Sequence, residues 1–497
     1  MVVSRALISV HDKTGLLPFA RRLAGAGWEI VASGGTAAEL QSGDVDVTPV
    51  EEVTGAPEML GGRVKTLHPS IHAGILSRGP DDSAELESHG IAPFDLVVCN
   101  LYPFRETVAD AGATETDIVE NIDIGGPSMI RAAAKNHQRV AVVVSPGRYE
   151  QVAEAIESGR LDADMRRALA SEAFAHTAAY DAAIATWIGA DRSLYLHHVS
   201  RLRYGENPHQ EADLYREEGA EPWWAGMTQH QGKEMSFNNY ADADAAWSLA
   251  SALGTGSVVV VKHTNPAGAA RGGASVAETF EMAWEGDSLA AFGGVIGINS
   301  ELDGETATLL ADRFVEVVVA RSVSDDARAI LSSKKSLRLI TAPAVGRAGP
   351  DFRRIAGGFL VQSPDQVVTE DWQTVSKRAA TDAEMESLAL AWVVAAHTKS
   401  NAVVIVDGTK VVGVGAGDQS RVGAAQRAVA RAGDRAKGAV AASDAFFPFR
   451  DGLDTLLEAG ITAVVEPGGS VRDDEVIAAA DEQGVALVFT GRRHFRH

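Results

Sequence analysis

Short apolar runs alternate with amphipathic stretches over the first 144 residues. Four of these runs predict strands: Arg5–Val10, Glu29–Ala32, Asp95–Cys99 and Val140–Val144. The stretch 15–23 predicts a helix that ends at the glycines after it. This alternation is typical of a doubly wound α/β domain with a mostly parallel sheet. We expect that domain over 1–147 and an alanine-rich helical connector over 148–199.

Four consecutive valines at 258–261 predict a strand that is buried on both faces. The run stops at Lys262 and His263, and the following Asn265, Pro266 and Gly268 predict a turn out of the sheet. Later segments repeat the pattern, with strands predicted at 401–406, 411–414 and 463–465 and helices at 421–432 and 473–482. We therefore expect two similar α/β subdomains, over 200–365 and 366–497.

The pair Lys262 and His263 is the first candidate for chemistry. A lysine beside a histidine lowers the pKa of the imidazole, which leaves a neutral general base near pH 7. A strand that simply ends in two solvated polar residues would have the same sequence. The pair alone does not decide between these interpretations.

Composition restricts the class of protein. The 497 residues exceed one ordinary domain, and 45% hydrophobic content with 49 glycines indicates a folded α/β protein. A net charge of −22 disfavours a general nucleic-acid or anionic membrane surface. The single cysteine, Cys99, excludes an intramolecular disulfide and a zinc site built from cysteines, as expected in a reducing cytoplasm. No signal peptide or membrane-spanning run is predicted, so we expect a cytoplasmic protein.

Several groups in the first domain follow predicted strands. Residues Ser33 to Thr36 open a predicted helix, where small residues let N–H groups converge on a phosphate; a plain turn and cap would use the same residues. Cations that could meet this loop occur in His11-Asp12-Lys13 and Arg63-Val64-Lys65-Thr66. Asn100 and Tyr102 follow the third strand, and Asp123 precedes a helix that carries Arg131 and Lys135 on one face.

The second half contains comparable groups. His209 and Glu211 match the start of a zinc deaminase signature, but that signature needs two later cysteines and none follows Cys99, so we reject it. The glycines before Ser420 and Arg421 form neither a P-loop nor a GxGxxG motif, and they predict a turn that presents both residues to an anion. The stretch 443–451 offers aromatic faces and a carboxylate, although phenylalanines near a proline are more often core residues.

Together these motifs resemble the bifunctional purine biosynthesis proteins that couple AICAR transformylase to IMP cyclohydrolase. The resemblance covers the whole chain, in the family's order, through SVHDKTG, VASGGTAAEL, GGRVKTLHPSIHAGIL, CNLYPF, ENIDIGGPSMIRAAAKN, LRYGENPHQ, VKHTNPAGAA, FGGVIG, KSNAVV, GAGDQSRVGA, DAFFPFRD and RHFRH. It implies a methylglyoxal-synthase-like first domain and two cytidine-deaminase-like subdomains without zinc. It also implies a homodimer whose transformylase sites combine residues from both chains.

For formyl transfer from the cosubstrate 10-formyltetrahydrofolate to AICAR, the resemblance makes His263 the proton acceptor. Lys262 would stabilise charge or protonate the leaving nitrogen, and Asn401 would orient the substrate. The implied AICAR-binding residues are Arg203, Tyr204, Gly293, Glu316, Arg421 and Arg493. The implied folate-binding residues are Val422, Phe446, Asp451, Ser470 and Val471. No metal is implied, and a bound monovalent cation is left open.

For ring closure of formyl-AICAR to IMP, the resemblance makes Lys135 the proton-transfer residue, with Lys65, Tyr102 and Asp123 around the ring. The implied nucleotide-binding residues are His11, Asp12, Lys13, Ser33, Gly34, Gly35, Thr36, Arg63, Val64, Thr66, Cys99, Asn100 and Ile124. The alternative is a nucleotide-binding regulatory homologue that lacks one or both activities. The presence of proton-transfer residues in both halves argues against a pure binder.

Overall fold

The computed structural model describes residues 3–189, 192–345 and 349–497, and it divides into two compact units, Met1–Leu196 and His197–His497. The predicted segments 1–147, 148–199 and 200–365 include residues 1–2, 190–191 and 346–348, which lie outside the described residues. The three predicted boundaries between segments stay predictions.

The first unit is a five-stranded parallel sheet covered by helices on both faces. Its strands, in the sheet order β3-β2-β1-β4-β5, are β1 Arg5–Ser9, β2 Glu29–Ala32, β3 Thr48–Pro49, β4 Leu96–Cys99 and β5 Ala141–Val143. Its helices are α1 Leu16–Gly25, α2 Gly34–Ser42, α3 Val50–Thr54, α4 Pro69–Leu76, α5 Ser83–Ser88, α6 Phe104–Ala109, α7 Glu115–Glu120, α8 Gly125–Lys135, α9 Tyr149–Glu157 and α10 Ala163–Ile188. The predicted doubly wound parallel domain is confirmed.

Two cores explain why the strands of this unit are almost wholly apolar. Leu7 of β1 packs into one hydrophobic cluster, with Val97 and Val142, while its neighbours Ala6 and Ile8 pack into another. Successive side chains of a strand point to opposite faces, so both faces of the sheet are buried. The predicted strands match the observed ones within one residue at each end.

The second unit is built on a twelve-stranded mixed sheet with a repeated arrangement of strands. The sheet order is β16-β21-β20-β19-β17-β18-β10-β9-β11-β12-β13-β8. The strands of the unit are β6 Leu196–Leu202, β7 Ala212–Glu217, β8 Thr228–Gln231, β9 Val258–Lys262, β10 Asn265–Ala270, β11 Gly294–Leu302, β12 Val315–Val323, β13 Arg338–Thr341, β14 Asp351–Ile355, β15 Gly358–Gln362, β16 Gln373–Thr374, β17 Val403–Asp407, β18 Lys410–Gly415, β19 Val440–Ser443, β20 Ala463–Glu466 and β21 Ala486–Phe489. Its helices are α11 Phe237–Leu253, α12 Val276–Trp284, α13 Ser288–Ala291, α14 Gly304–Ala311, α15 Asp325–Leu331, α16 Asp382–Ala396, α17 Arg421–Ala432, α18 Arg450–Glu458 and α19 Asp473–Gln483.

Each half of this sheet has the same plan. An antiparallel hairpin, β9–β10 or β17–β18, is followed by three parallel strands and closed by one antiparallel edge strand. The two hairpins meet where β10 pairs with β18 at Ala270 and Lys410. The pairs β6–β7 and β14–β15 are separate two-stranded sheets.

The valine strand behaves as its sequence predicts. Val259 and Val261 belong to one hydrophobic cluster and Val258 and Val260 to another, so β9 is buried on both faces. The predicted turn at Asn265, Pro266 and Gly268 is wrong, because these residues form β10, antiparallel to β9. The turn is His263-Thr264, with φ of 52° and 63°, the positive pair that a type I′ hairpin turn requires.

Candidate active sites

A cavity of about 680 Å³ lies in the first unit at the carboxyl ends of β1, β2 and β4. In an open parallel sheet these ends share one edge, and the chain order reverses beside β1, where ligands of doubly wound folds bind. Thirteen of the seventeen residues predicted for ring closure and nucleotide binding line the cavity: His11, Lys13, Ser33, Gly35, Thr36, Arg63, Lys65, Thr66, Cys99, Asn100, Tyr102, Asp123 and Ile124.

The loop before α2 forms a cradle for an anion. The Nζ atom of Lys65 lies 2.7 Å from where a Cβ at Gly34 would stand, and that of Lys13 lies 3.7 Å from the same position at Gly35. The glycine at 34 therefore leaves room for the Lys65 ammonium group, and the Lys13 ammonium group also lies near the helix N-terminus, which itself favours negative charge. Ser33 is the N-cap residue of α2, but its side chain makes no capping hydrogen bond to the helix. Its Oγ instead lies 2.8 Å from that of Ser9.

Asn100 and Thr36 brace the cavity wall. Asn100 Oδ1 accepts hydrogen bonds from the backbone N–H groups of His11 and Asp12 at 2.6 and 3.0 Å, and its Nδ2 donates to Asp12 O at 2.9 Å. The buried Thr36 hydroxyl accepts from Val10 N at 3.0 Å and donates to Val10 O at 3.1 Å. These two side chains fix the cavity-lining segment 9–13 in place.

Asp123 is the most enclosed carboxylate of the cavity. Its Oδ1 accepts from the N–H of Gly126 at 2.8 Å, and a Cβ at Gly126 would lie 2.5 Å from its Oδ2. Burial raises the pKa of Asp123, against the opposing effect of the Gly126, Tyr102 and Gly125 N–H groups. A raised pKa makes this carboxylate a stronger proton acceptor than an exposed aspartate.

Tyr102 lies near this carboxylate, and Lys65 lines the same cavity. Burial, followed by the charge of Asp123, raises the pKa of Tyr102, whose ring meets that of His11 edge to face with 5.7 Å between centroids. Lys65 Nζ pairs with Glu58 Oε2 at 3.0 Å. The cavity thus combines a proton acceptor with two hydrogen-bond donors.

Lys135 is not among the residues lining this cavity. It ends α8, whose first residue Gly125 lines the cavity, and a rise of about 1.5 Å per residue places it roughly 15 Å along the axis. It is also exposed, on the side of the helix opposite Gly126. Asp12, Gly34 and Val64 are likewise not lining residues, although each adjoins one that is.

Sequence reasoning missed Glu120, which lines the cavity and pairs with Arg63. It also missed the apolar lining by Val119, Ile122 and Met129. These residues belong to α7, α8 and the loop between them. The amphipathic pattern of a helix does not indicate which end of that helix reaches the edge of the sheet.

Residues predicted for formyl transfer lie along one edge of the twelve-stranded sheet. The strand directions bring together at that edge the ends of β9, β18, β19, β20 and β21 and the starts of β11, β12 and β17. Lys262 ends β9 and His263 follows it, Gly293 precedes β11, and Glu316 is the second residue of β12. Asn401 precedes β17, and Arg421 follows β18.

The Lys262–His263 pair borders a cavity of about 290 Å³ that is also lined by Asn265, Asp287, Arg427 and Arg431. Lys262 Nζ donates to Gly293 O at 2.8 Å. The positive φ at Thr264 is strained for a β-branched residue, and its N–H is held by Asp242 Oδ1 at 2.7 Å. The hairpin thereby presents the exposed His263 side chain at the edge.

Asn401 is oriented by the predicted AICAR-binding residue Arg421. The buried Arg421 guanidinium pairs with the buried Asp444 and donates to Asn401 Oδ1 at 2.7 Å, while Asn401 Nδ2 donates to Asp418 O at 2.9 Å. Asn265 Oδ1 accepts from Lys399 N at 3.0 Å and so ties this segment to the hairpin.

Arg203, Tyr204 and Glu316 lie close enough to Arg338, a residue that the sequence did not single out, to influence the pKa of its guanidinium. Arg203 lies 4.8 Å from the centroid of the Tyr204 ring, and Glu316 accepts from Asn239 Nδ2 at 3.0 Å. Burial lowers the pKa of Arg338, and the charge of Glu316 opposes this. Arg338 is the first residue of β13 and lies in a polar stretch of sequence, so no motif marked it as a candidate site residue.

The residues predicted to bind folate lie at increasing distances from Lys262 along this edge. Val422, Phe446, Asp451, Ser470 and Val471 lie after β18, β19 and β20, and the predicted AICAR-binding residue Arg493 follows β21. In the sheet order β9 is two strand spacings from β18, five from β20 and six from β21, or roughly 10, 24 and 29 Å at about 4.8 Å each. Val471 has a relative exposure of 102%, and Arg493 is also exposed.

No group of three or more metal-ligating side chains was found in residues 3–189, 192–345 and 349–497. Over the same ranges, every helix is too short or too polar to cross a membrane.

The fold and the site geometry define an α/β protein with a cavity lined by lysines and a helix N-terminus in one unit and a polar sheet edge in the other. An AICARFT/IMPCHase bienzyme family model matches residues 133–431, and an MGS-like domain model matches 15–128. The chain therefore belongs to the AICARFT/IMPCHase bienzyme family.

Two relatives extend this match to the whole chain. The bifunctional purine biosynthesis protein PurH of Sorangium cellulosum (strain So ce56) is 49% identical, over 100% of each chain. The protein of the same name from Cereibacter sphaeroides (strain ATCC 17029 / ATH 2.4.9) is 48% identical, over 100% of this chain and 99% of its own. A crystal structure of ForH is 36% identical and matches 38% of this chain and 100% of that one, with a TM-score of 0.34.

Proposed function

We propose that the chain catalyses two consecutive reactions: formyl transfer from 10-formyltetrahydrofolate to AICAR, and ring closure of the resulting formyl-AICAR to IMP. Membership of the bienzyme family and the identity to PurH proteins over the full chain support both activities. The observation that carries the assignment of ring closure to the first unit is its cavity, which gathers an anion cradle, an enclosed carboxylate and donors.

In ring closure, the carboxamide nitrogen attacks the formyl carbon of the same molecule. The cradle at Ser33 to Gly35, with Lys13 and Lys65, would hold the phosphate. Asp123 would take the proton from the carboxamide nitrogen as the C–N bond forms, while Tyr102 donates to the formyl oxygen. The formamido nitrogen then loses its own proton to that oxygen and becomes doubly bonded to the former formyl carbon, so that the C–O bond breaks and water leaves. Asp123 returns its proton to Tyr102, which restores both groups. An amide nitrogen is a weak nucleophile, so positioning supplies much of the rate.

The proton-transfer role of Lys135 rests on the resemblance alone. Its place at the far end of α8 favours Lys65, Tyr102 and Asp123 as the groups that touch the reacting atoms. We retain Lys135 as a proposed residue of the reaction and test it against Lys65 below.

In formyl transfer, the amine of AICAR attacks the formyl carbon and N10 of the folate leaves. His263 would accept the amine proton, and Lys262, beside Gly293, would stabilise the developing oxyanion or protonate N10. Asn401, held by Arg421, would orient the substrate. The residues grouped around Arg338 would then bind the nucleotide.

We further propose a cytoplasmic homodimer with transformylase sites at the interface between chains. The support is the roughly 24 Å between β9 and β20, which keeps the predicted folate residues Ser470 and Val471 of one chain from its own Lys262. A second chain could bring its exposed Val471 and Arg493 to that site. Sedimentation should give twice the mass of one chain.

The deciding assay gives the purified chain AICAR with 10-formyltetrahydrofolate, or formyl-AICAR alone, and follows IMP. Both substrates should yield IMP. Nucleotide binding without either reaction would favour the regulatory homologue, and formyl transfer without ring closure would indicate an inactive first unit.

A further inference from the structure

Tyr180 bridges the loop that carries Asp123. This tyrosine lies on α10, in the segment predicted only as a connector, and its side chain is buried. Its hydroxyl accepts a hydrogen bond from Asp123 N at 2.8 Å and donates one to Asn121 O at 2.7 Å. One hydroxyl thus joins two main-chain groups of the four-residue loop between α7 and α8.

The Tyr180 ring is fixed by aromatic packing that leads back to the same cavity. It meets Phe104 edge to face, with 6.1 Å between centroids, and Phe104 meets Trp187 in the same way at 5.9 Å. Phe104 N donates to Tyr102 O at 2.8 Å. Helix α10 is therefore linked to both Asp123 and Tyr102, the proposed proton acceptor and donor.

We infer that Tyr180 is a positioning residue for ring closure, which fixes the main chain of Asp123 so that its carboxylate faces the reacting nitrogen. The inference rests on the proposed function of the first unit. Helix α10 then supports the site from behind the loop, although no residue of α10 is among those that line the cavity.

The carboxylate is held from two sides. In front, Asp123 Oδ1 accepts from Gly126 N; behind, its own N–H is held by the Tyr180 hydroxyl. A phenylalanine at 180 keeps the ring packing but leaves Asp123 N and Asn121 O without this partner. The loop would then lose its anchor to α10, and a misplacement of about 1 Å at a reacting group costs about 100-fold in rate.

The test compares Tyr180→Phe with Tyr149→Phe in the full chain. Tyr149 is a matched control because it is a buried tyrosine of the same unit whose ring stacks on Phe19, at 4.6 Å. We expect Tyr180→Phe to lower kcat for formyl-AICAR by about 10-fold to 100-fold, with KM and the Kd for IMP within about 3-fold of wild type. Tyr149→Phe should leave all three constants near the wild-type values.

The outcomes separate the inference from the proposed function. A loss confined to kcat supports positioning. Equal ring closure in the two variants overturns the inference, and so does a joint loss of kcat and IMP binding, which would mean that the hydroxyl only keeps the unit folded. If the wild-type chain does not close the ring, the proposed function fails and the inference fails with it. Formyl transfer, measured in parallel, should be the same in all three proteins.

Discussion

Gly126→Ala tests whether Asp123 must stand where the structure places it. An added Cβ would lie 2.5 Å from Asp123 Oδ2 and 2.7 Å from Leu101 Cδ2, whereas ordinary contacts begin at 3.4 Å. The carboxylate must therefore retreat from 2.5 Å to 3.4 Å, a shift of about 0.9 Å. Elsewhere in a helix the same substitution is favourable by about 1 kcal/mol.

A shift of this size at a proton acceptor predicts a loss of about 100-fold in the rate of ring closure. The assay supplies formyl-AICAR and follows IMP, and circular dichroism verifies folding. Gly25→Ala is the matched control, because Gly25 lies in α1 with nothing within 4 Å of its Cβ position. Ring closure in Gly126→Ala equal to that in Gly25→Ala would refute the placement of Asp123 at the reacting atoms.

Three further predictions concern other residues. His263→Ala should lower formyl transfer at least ~100-fold, the typical contribution of a positioned base, and leave ring closure unchanged; survival of both reactions would remove His263 from the mechanism. Lys65→Ala should lower the rate of ring closure by about 100-fold and Lys135→Ala by less than about 10-fold, since Lys65 lines the cavity and Lys135 does not. A larger loss in Lys135→Ala than in Lys65→Ala, measured in steady-state assays, would favour Lys135 as the proton-transfer residue. Burial raises the pKa of Glu466 from 4.5 to about 8, so the folded state holds a proton that the unfolded state has released between these values. Stability should therefore fall as pH rises from about 4.5 to about 8, and Glu466→Gln should flatten this dependence of Tm and be the more stable protein at pH 8, by on the order of a few kcal/mol; parallel Tm curves for the two proteins would contradict this.

Local patterns were sufficient where burial alone decides structure. The runs around Leu7, Val97 and Val142 form strands because a parallel sheet covered on both faces accepts only apolar side chains. The glycines at 34 and 35 were identified as a candidate phosphate loop from their place between a strand and a helix. In the structure that loop adjoins two ammonium groups.

Local patterns failed where the outcome depends on distant partners. Asn265, Pro266 and Gly268 read as a turn, but pairing with β9 and β18 makes them a strand and moves the turn to His263-Thr264. The positive φ angles there are unfavourable for both residue types, and the hydrogen bond from Thr264 N to Asp242 helps to hold them. No periodicity in the sequence reports such a contact.

The sequence by itself determined the alternation of strands and helices, the family and most residues of the cavity in the first unit. These follow from hydrophobic period and from short motifs, which act over a few residues. The tertiary structure alone decided that Lys135 points away from that cavity, that Tyr180 holds Asp123, and that the predicted folate residues Ser470 and Val471 lie far from Lys262 along one sheet edge. Those facts depend on helix length, strand order and contacts between residues tens of positions apart, and a local pattern does not encode them.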